Sequence, residues 1–140
     1  MTSVLPYIMI AGPTASGKSQ LAIDLARRFN GAVINADSMQ LYADLAVLTA
    51  RPQPQEMRDI PHHLFGVYDA AHRASVAEWL GLAAATIDNV GSAGRLPIIV
   101  GGTGMYLHAG LHGIAPVPDV PADVHQHCID LFLELGGRKF

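Results

Sequence analysis

A single cysteine, no excess of basic charge and no long apolar run set the first limits on this chain. With Cys128 alone no intrachain disulfide can form, and a reducing compartment is expected. Cys128 stands between His127 and Ile129 in a helical pattern, so a buried or half-buried structural thiol is expected there rather than a nucleophile. No stretch approaches the roughly 20 apolar residues that cross a bilayer. Met1 to Pro6 carry no basic cluster and no long apolar run, so no signal peptide is read. The net charge of -3 lacks the basic signature of nucleic-acid binders and counts against such a partner for this chain alone. There is no internal repeat and no low-complexity tail. These absences leave a soluble cytoplasmic protein with no membrane partner, expected to be a monomer.

What is present is enough for one core. The 140 residues, 50% of them hydrophobic, suffice for one compact domain and not for two. The stretch that organises it is Ile8 to Ser19, an apolar strand running straight into G-x-x-x-x-G-K-S, the phosphate-binding P-loop. Gly12 and Gly17 permit backbone angles and close approaches that a side chain would block. Between them Pro13, which has no N–H, opens the loop, and the N–H groups of Thr14, Ala15 and Ser16 would point inward as an anion nest. The following helix adds the positive end of its dipole. Lys18 adds a mobile charge, and Ser19 a hydroxyl suited to Mg²⁺.

After the first strand, Tyr7 to Ala11, a helix is expected from about Gly17 to Asn30, with Leu21, Ala22, Leu25, Ala26 and Phe29 on its apolar face. Asn30-Gly31 is a stop signal. Ala32 to Ala36 reads as the second strand and runs into Asp37-Ser38-Met39-Gln40. From Asp44 to Pro61 the pattern is irregular, broken by Pro52, Pro54 and Pro61, and Leu64 to Tyr68 reads as a short strand. Ser75, with Glu78 three residues on, caps a helix to about Val90, whose apolar face is Val76, Leu80, Ala83, Ala84 and Ile87. Leu96 to Val100 is the third strong strand. It enters Gly101-Gly102-Thr103-Gly104 and a helix from about Met105 to His112. Pro116, Pro118 and Pro121 mark an extended connector before a last helix, Ala122 to Leu135. Strands alternating with helices predict an α/β domain with a mainly parallel sheet.

Three turns, the P-loop, Asp37 and Thr103, would converge on one sheet edge, where open α/β sheets bind ligands. Asp37 is open to three readings: a magnesium-holding carboxylate, a general base, or a helix N-cap with Gln40 completing a capping box. The third strand ends without a carboxylate, which points away from vigorous NTP hydrolysis. Gly101 and Gly102 permit close backbone approach to a ligand, and Thr103 offers a hydroxyl to an anionic oxygen or caps the next helix. Seven histidines do not assemble a metal site. His108 and His112 stand four apart without a third ligand, and His125 and His127 fall on different sides of a helix. His62-His63 lies in a loop, where bonding to backbone is the ordinary role.

Taken together, these turns resemble the tRNA dimethylallyltransferases (tRNA isopentenyltransferases). The resemblance is carried by Gly12-Pro13-Thr14-Ala15-Ser16-Gly17-Lys18-Ser19, Asn35-Ala36-Asp37-Ser38-Met39-Gln40-Leu41-Tyr42, Thr49-Ala50-Arg51-Pro52, Pro61-His62-His63-Leu64, Ser75-Val76-Ala77 and the run from Leu96 to Leu107. It implies a P-loop NTPase-like three-layer domain over residues 1–140, the N-terminal part of a catalytic domain. It also implies transfer of a dimethylallyl group from its diphosphate to the exocyclic amine of the adenine 3′ of the anticodon. The P-loop, Gly12 to Ser19, would then hold dimethylallyl diphosphate, with Mg²⁺ at Ser19. Asp37 would accept the proton, and Thr103 would help stabilise the departing diphosphate. Asp37, Ser38, Met39, Gln40, Thr103 and His125 would meet the tRNA, whose adenine must leave its stack. Arg51 stands where the family often has Lys. The family runs to about twice this length, with a helical insertion that grips the anticodon arm, so turnover is expected of the complete protein. Two alternatives are a P-loop small-molecule or nucleoside kinase and a non-catalytic phosphate-binding fragment.

Overall fold

In a computed structural model of the chain, residues 6–57, 59–115 and 120–137 are described. Four parallel strands form one sheet in the order β1-β4-β2-β3. They are β1 (Ile8–Ala11), β2 (Gly31–Asn35), β3 (His62–His63) and β4 (Leu96–Gly101). The inner pair, β2 and β4, is the most apolar and the most buried, as strands covered on both faces must be. Register runs Ile8 to Ile98 and Ala11 to Gly101 on one side of β4, and Gly31 to Leu96 and Asn35 to Val100 on the other. The carboxyl ends of β1, β2 and β4 therefore finish level.

Alternation along the strands sorts the core into two layers. Ile10, Val33, Ile98 and Val100 face α1 (Lys18–Arg28) and pack with Ala22 and Ala26. Ile34 and Ile99 face the opposite way and pack with Trp79 and Ala83 of α3 (Val76–Ser92) and with Tyr106 and Leu107 of α4 (Gly104–His112). The short α2 (Pro54–Met57) lies within the proline-broken stretch. The last helix, α5 (Ala122–Leu135), has the predicted bounds and buries none of its residues. No described helix is long and apolar enough to cross a membrane.

Several expectations are corrected. The strand expected at Leu64–Tyr68 lies earlier, at His62–His63, because Leu64 and Gly66 both take positive φ (62° each) and turn the chain out of extended geometry. Tyr68 keeps only an isolated bridge to Tyr42. Leu21 and Phe29 are about half exposed on α1 and Ile23 is buried in their place, since the sheet covers a narrower stripe than the periodicity suggests. Ala84 is likewise exposed on α3, while Trp79 is fully buried. Cys128 is exposed rather than buried, as α5 buries none of its residues against the other described residues. Pro116 and Pro118 lie outside the described residues.

The α3 N-terminus forms as the sequence predicts. Ser75 Oγ accepts from Glu78 N at 3.2 Å, and Glu78 Oε2 accepts from Ser75 N at 2.8 Å. The bond from the Ser75 amide, and after it the Ser75 side chain, hold the Glu78 carboxyl below its usual range.

Candidate active site

Beyond β1 the chain turns through residues 12–17 into α1. Gly17 has φ 84°, the left-handed geometry that glycine supplies without strain. Ala15 shares that region at φ 61° despite its Cβ. Gly12 acts differently: its φ is not left-handed, and a Cβ there would lie 3.1 Å from Ser16 Oγ and 3.5 Å from Lys18 Cδ. Its role is close approach within the loop. Lys18 Nζ donates to the Pro13 carbonyl, which folds the side chain back over the loop.

The second turn leaves β2. Asp37 Oδ1 accepts from Met39 N at 2.9 Å, an Asx-type bond from the residue before the next turn, whose N-cap position is held by Ser38 and not by Asp37. That turn is a single 3₁₀ turn, Met39–Leu41. Gln40 does not complete a capping box; its Nε2 donates to the Thr49 carbonyl at 2.9 Å. Gln40 instead ties the turn to the segment carrying Leu45 and Leu48.

The third turn follows β4. Thr103 occupies the N-cap position of α4, but its hydroxyl makes no capping bond. Thr103 Oγ1 accepts from Ser38 N at 2.9 Å and lies 3.3 Å from Ser38 Oγ. The Thr103 turn is thus bonded directly to the Asp37 turn. Gly101 allows this contact. A Cβ there would lie 2.1 Å from the Ala36 carbonyl oxygen, so Gly101, which also lines the cavity described below, makes a close approach to the protein's own backbone.

P-loop and Asp37 turn open on one cavity of about 690 Å³. Residues 14–20, Lys18 and Ser19 among them, form one wall, and Asp37, Met39 and Gln40 another. Leu45, Leu48, Phe65 and Val100 give it an apolar side. The irregular 44–61 stretch offered no periodicity from which Leu45 and Leu48 could be assigned to this site. Gly12, Pro13, Ser38 and Thr103 do not line the cavity but support the turns that do. His125 is exposed on α5 and is not brought to the cavity.

In the core layer under α3 and α4, Trp79 and Tyr106 stack with centroids 4.7 Å apart and planes 11° from parallel. Burial pushes the Tyr106 hydroxyl above its ordinary range, with Tyr42, Tyr68, Glu78 and Asp37 adding to the effect. Burial lowers His62 despite the bond from its Nδ1 to the Ile60 carbonyl at 2.8 Å. His63 is lowered by burial and by neighbouring His62.

The Ser19 hydroxyl at the cavity is an oxygen donor that suits a hard cation such as Mg²⁺. No group of three His, Cys, Asp or Glu that could hold a metal stands together among the described residues. An ion here would complete its shell from a bound diphosphate and water, as Mg²⁺ commonly does.

The sequence model of the IPP transferase family matches residues 40–137, and that of the isopentenyl transferases matches residues 6–64. The chain belongs to the IPP transferase family. Among IPP transferase relatives, the tRNA dimethylallyltransferase of Rhodospirillum rubrum is 54% identical over 131 residues, which are 94% of this chain and 40% of that protein. That of Azorhizobium caulinodans is 55% identical over 119 residues, 85% of this chain and 38% of that protein. The full-length tRNA isopentenylpyrophosphate transferase of Bacillus halodurans superposes with a TM-score of 0.79 at 36% identity, over 96% of this chain and 44% of that one. A eukaryotic dimethylallyltransferase acting on tRNA superposes with a TM-score of 0.77 at 33% identity, over 94% and 32%. The chain therefore spans about two fifths of the length of the curated relatives it matches.

Proposed function

We propose that this chain is the diphosphate-binding and proton-accepting part of a tRNA dimethylallyltransferase. The reaction moves the dimethylallyl group of dimethylallyl diphosphate to the exocyclic amine of the adenine 3′ of the anticodon. The observation that carries this reading is one cavity lined by the P-loop, by Asp37 and by the apolar side chains of Leu45, Leu48, Phe65 and Val100. A diphosphate bearing a hydrocarbon tail has that distribution of polarity.

The steps follow from the residues. The P-loop N–H groups and Lys18 bind the diphosphate and orient the allylic carbon toward Asp37. The adenine amine attacks that carbon. Its C–O bond to diphosphate breaks, and the electron pair leaves with the diphosphate. Asp37 takes the amine proton; Oδ1 already accepts from Met39 N, which leaves Oδ2 for the transfer. Lys18 and the loop stabilise the charge gathering on the leaving group. Ser19 would hold Mg²⁺, which when bound neutralises diphosphate charge. Thr103 acts from behind through Ser38. Ser38, Met39 and Gln40 form the edge that would meet the flipped adenine. His125 lies away from this edge and would serve only a more distant part of the tRNA. A kinase reading gains nothing from the tip of β4, where Gly101-Gly102-Thr103 supplies no carboxylate for a hydrolytic or phosphoryl-transfer magnesium. The proposed setting is the cytoplasm, with a monomeric enzyme acting on tRNA.

The test is mass-spectrometric detection of prenylated adenosine in an anticodon-arm RNA, with dimethylallyl diphosphate and Mg²⁺. It uses this chain alone and this chain joined to the C-terminal part of the Rhodospirillum rubrum relative. Product from the joined protein, lost in Asp37→Ala, is the expected result. Absence of product from the folded joined protein, together with thermal protection of the chain by ATP and none by dimethylallyl diphosphate, would overturn it.

A further inference from the structure

We propose that Asn35 is the positioning residue that aims Asp37 at the cavity, an inference that rests on reading Asp37 as the proton acceptor. Asn35 is the one polar residue buried in the described core, 1% exposed at the end of β2. Its neighbours Val33 and Ile34 show what the strand otherwise places there. Burying an amide is costly unless all its groups are paired.

They are paired, and mainly to Asp37. Asn35 Oδ1 accepts from Asp37 N at 2.9 Å. Asn35 Nδ2 donates to the Asp37 carbonyl at 2.9 Å and to the Leu64 carbonyl at 3.0 Å. The partners fix the amide's orientation: a flip would set Oδ1 against two carbonyls and Nδ2 against an N–H. Both main-chain groups of Asp37 are therefore held by one side chain, so its backbone cannot rotate without breaking both bonds. Trp79 Nε1 donates to the Asn35 carbonyl at 2.8 Å and pins the strand end from behind. Downstream, Thr103 holds Ser38 N. The carboxylate stands between two clamps, one of them buried.

A purely structural role would be to tie the exit of β3 to β2 through Leu64. Two measurements separate the roles. In the intact chain, amide exchange by NMR is compared for the parent, Asn35→Ala, Asn35→Asp and Trp79→Phe. Asn35→Asp retains the shape if Asn35→Ala does not fold. Trp79→Phe is the destabilised control with the Asn35 amide intact. Faster exchange at Ser38 and Met39 in the Asn35 variants, with Val33 and Ile34 unchanged and no such loss in Trp79→Phe, is expected. Unchanged exchange at Ser38 and Met39 would overturn the proposal.

In the joined protein, Asn35→Ala should lower kcat about 10²-fold, the scale of a misplaced reacting group, with KM for dimethylallyl diphosphate unchanged. It should lower nothing further in an Asp37→Ala background. An equal additional loss in that background would show that Asn35 does not act through Asp37. If Asp37→Ala itself leaves turnover intact, the proton-acceptor reading fails, and the exchange data still decide whether Asn35 holds the turn.

Discussion

Gly101→Ala should damage this protein far more than one methyl group normally does. The added Cβ would lie 2.1 Å from the Ala36 carbonyl oxygen, 2.2 Å from its carbon and 2.8 Å from Ala36 Cα. Ordinary contact begins at 3.4 Å, so the methyl intrudes by about 1.3 Å. All three atoms are backbone, and no rotamer change relieves them. The ends of β2 and β4 must separate. That strains two bonds which join them, Ala36 N to the Val100 carbonyl at 2.8 Å and Thr103 N to the Ala36 carbonyl at 3.3 Å. Overpacking a core costs about 1–3 kcal/mol, and each backbone bond lost adds about 0.5–1.5 kcal/mol. A loss of at least about 3 kcal/mol is expected, which for a domain of this size lowers Tm by about 10 °C. Gly102→Ala is the matched control. Its Cβ meets only the Gly12 carbonyl oxygen, at 3.5 Å, and should change stability by less than about 0.5 kcal/mol. Urea and thermal melts followed by circular dichroism measure both. A Gly101→Ala protein melting within about 2 °C of the parent, or a Gly102→Ala protein equally destabilised, would refute the close-approach argument.

Lys18→Ala should weaken dimethylallyl diphosphate binding about 10–100-fold, the worth of a charge-assisted contact of about 1.5–3 kcal/mol; titration calorimetry reads it, and unchanged affinity would exclude Lys18 from the diphosphate site. Ser75→Ala should cost about 1 kcal/mol by removing the α3 cap, measured as a lower urea midpoint, with no change in diphosphate affinity. The lowered His62 and His63 predict acid sensitivity. The unfolded chain takes up protons first as pH falls, so the stabilisation is complete above about 6.5 and is lost as pH drops through the lower folded values. Urea midpoints should fall between pH 7.5 and 5.5 by about a few tenths of a molar or more, and His63→Gln should narrow the difference; a midpoint that rises on acidification would contradict the direction of both shifts.

The pieces most legible in the sequence were those whose signals act over a few residues. The P-loop, the capping box at Ser75 and Glu78, the stop at Asn30-Gly31 and the bounds of α5 each depend on neighbours within one or two turns. The same local logic misled where tertiary contacts intervened. Leu21 and Phe29 fit a helical apolar stripe yet stay half exposed, because the contact of α1 with the sheet is made by Ala22, Leu25 and Ala26. Gln40 stands at capping-box spacing from Asp37, yet it reaches Thr49 because the following segment folds back beside it. Thr103 reads as a cap, yet its hydroxyl bonds to Ser38.

By itself the sequence determined an α/β domain built on a P-loop strand, and it carried the motifs that mark the family. Periodicity, glycine placement and caps are local properties, and they survive in one dimension. Only the tertiary structure decided that Asp37 is held by Asn35, that Trp79 lies behind Asn35 across 44 residues, and that Thr103 reaches Ser38 across 65. Such bonds depend on which strands become neighbours, and the order β1-β4-β2-β3 places β4 between two strands that precede it in the chain. No local pattern encodes that insertion, yet it brings the three turns level at one edge and makes them a site.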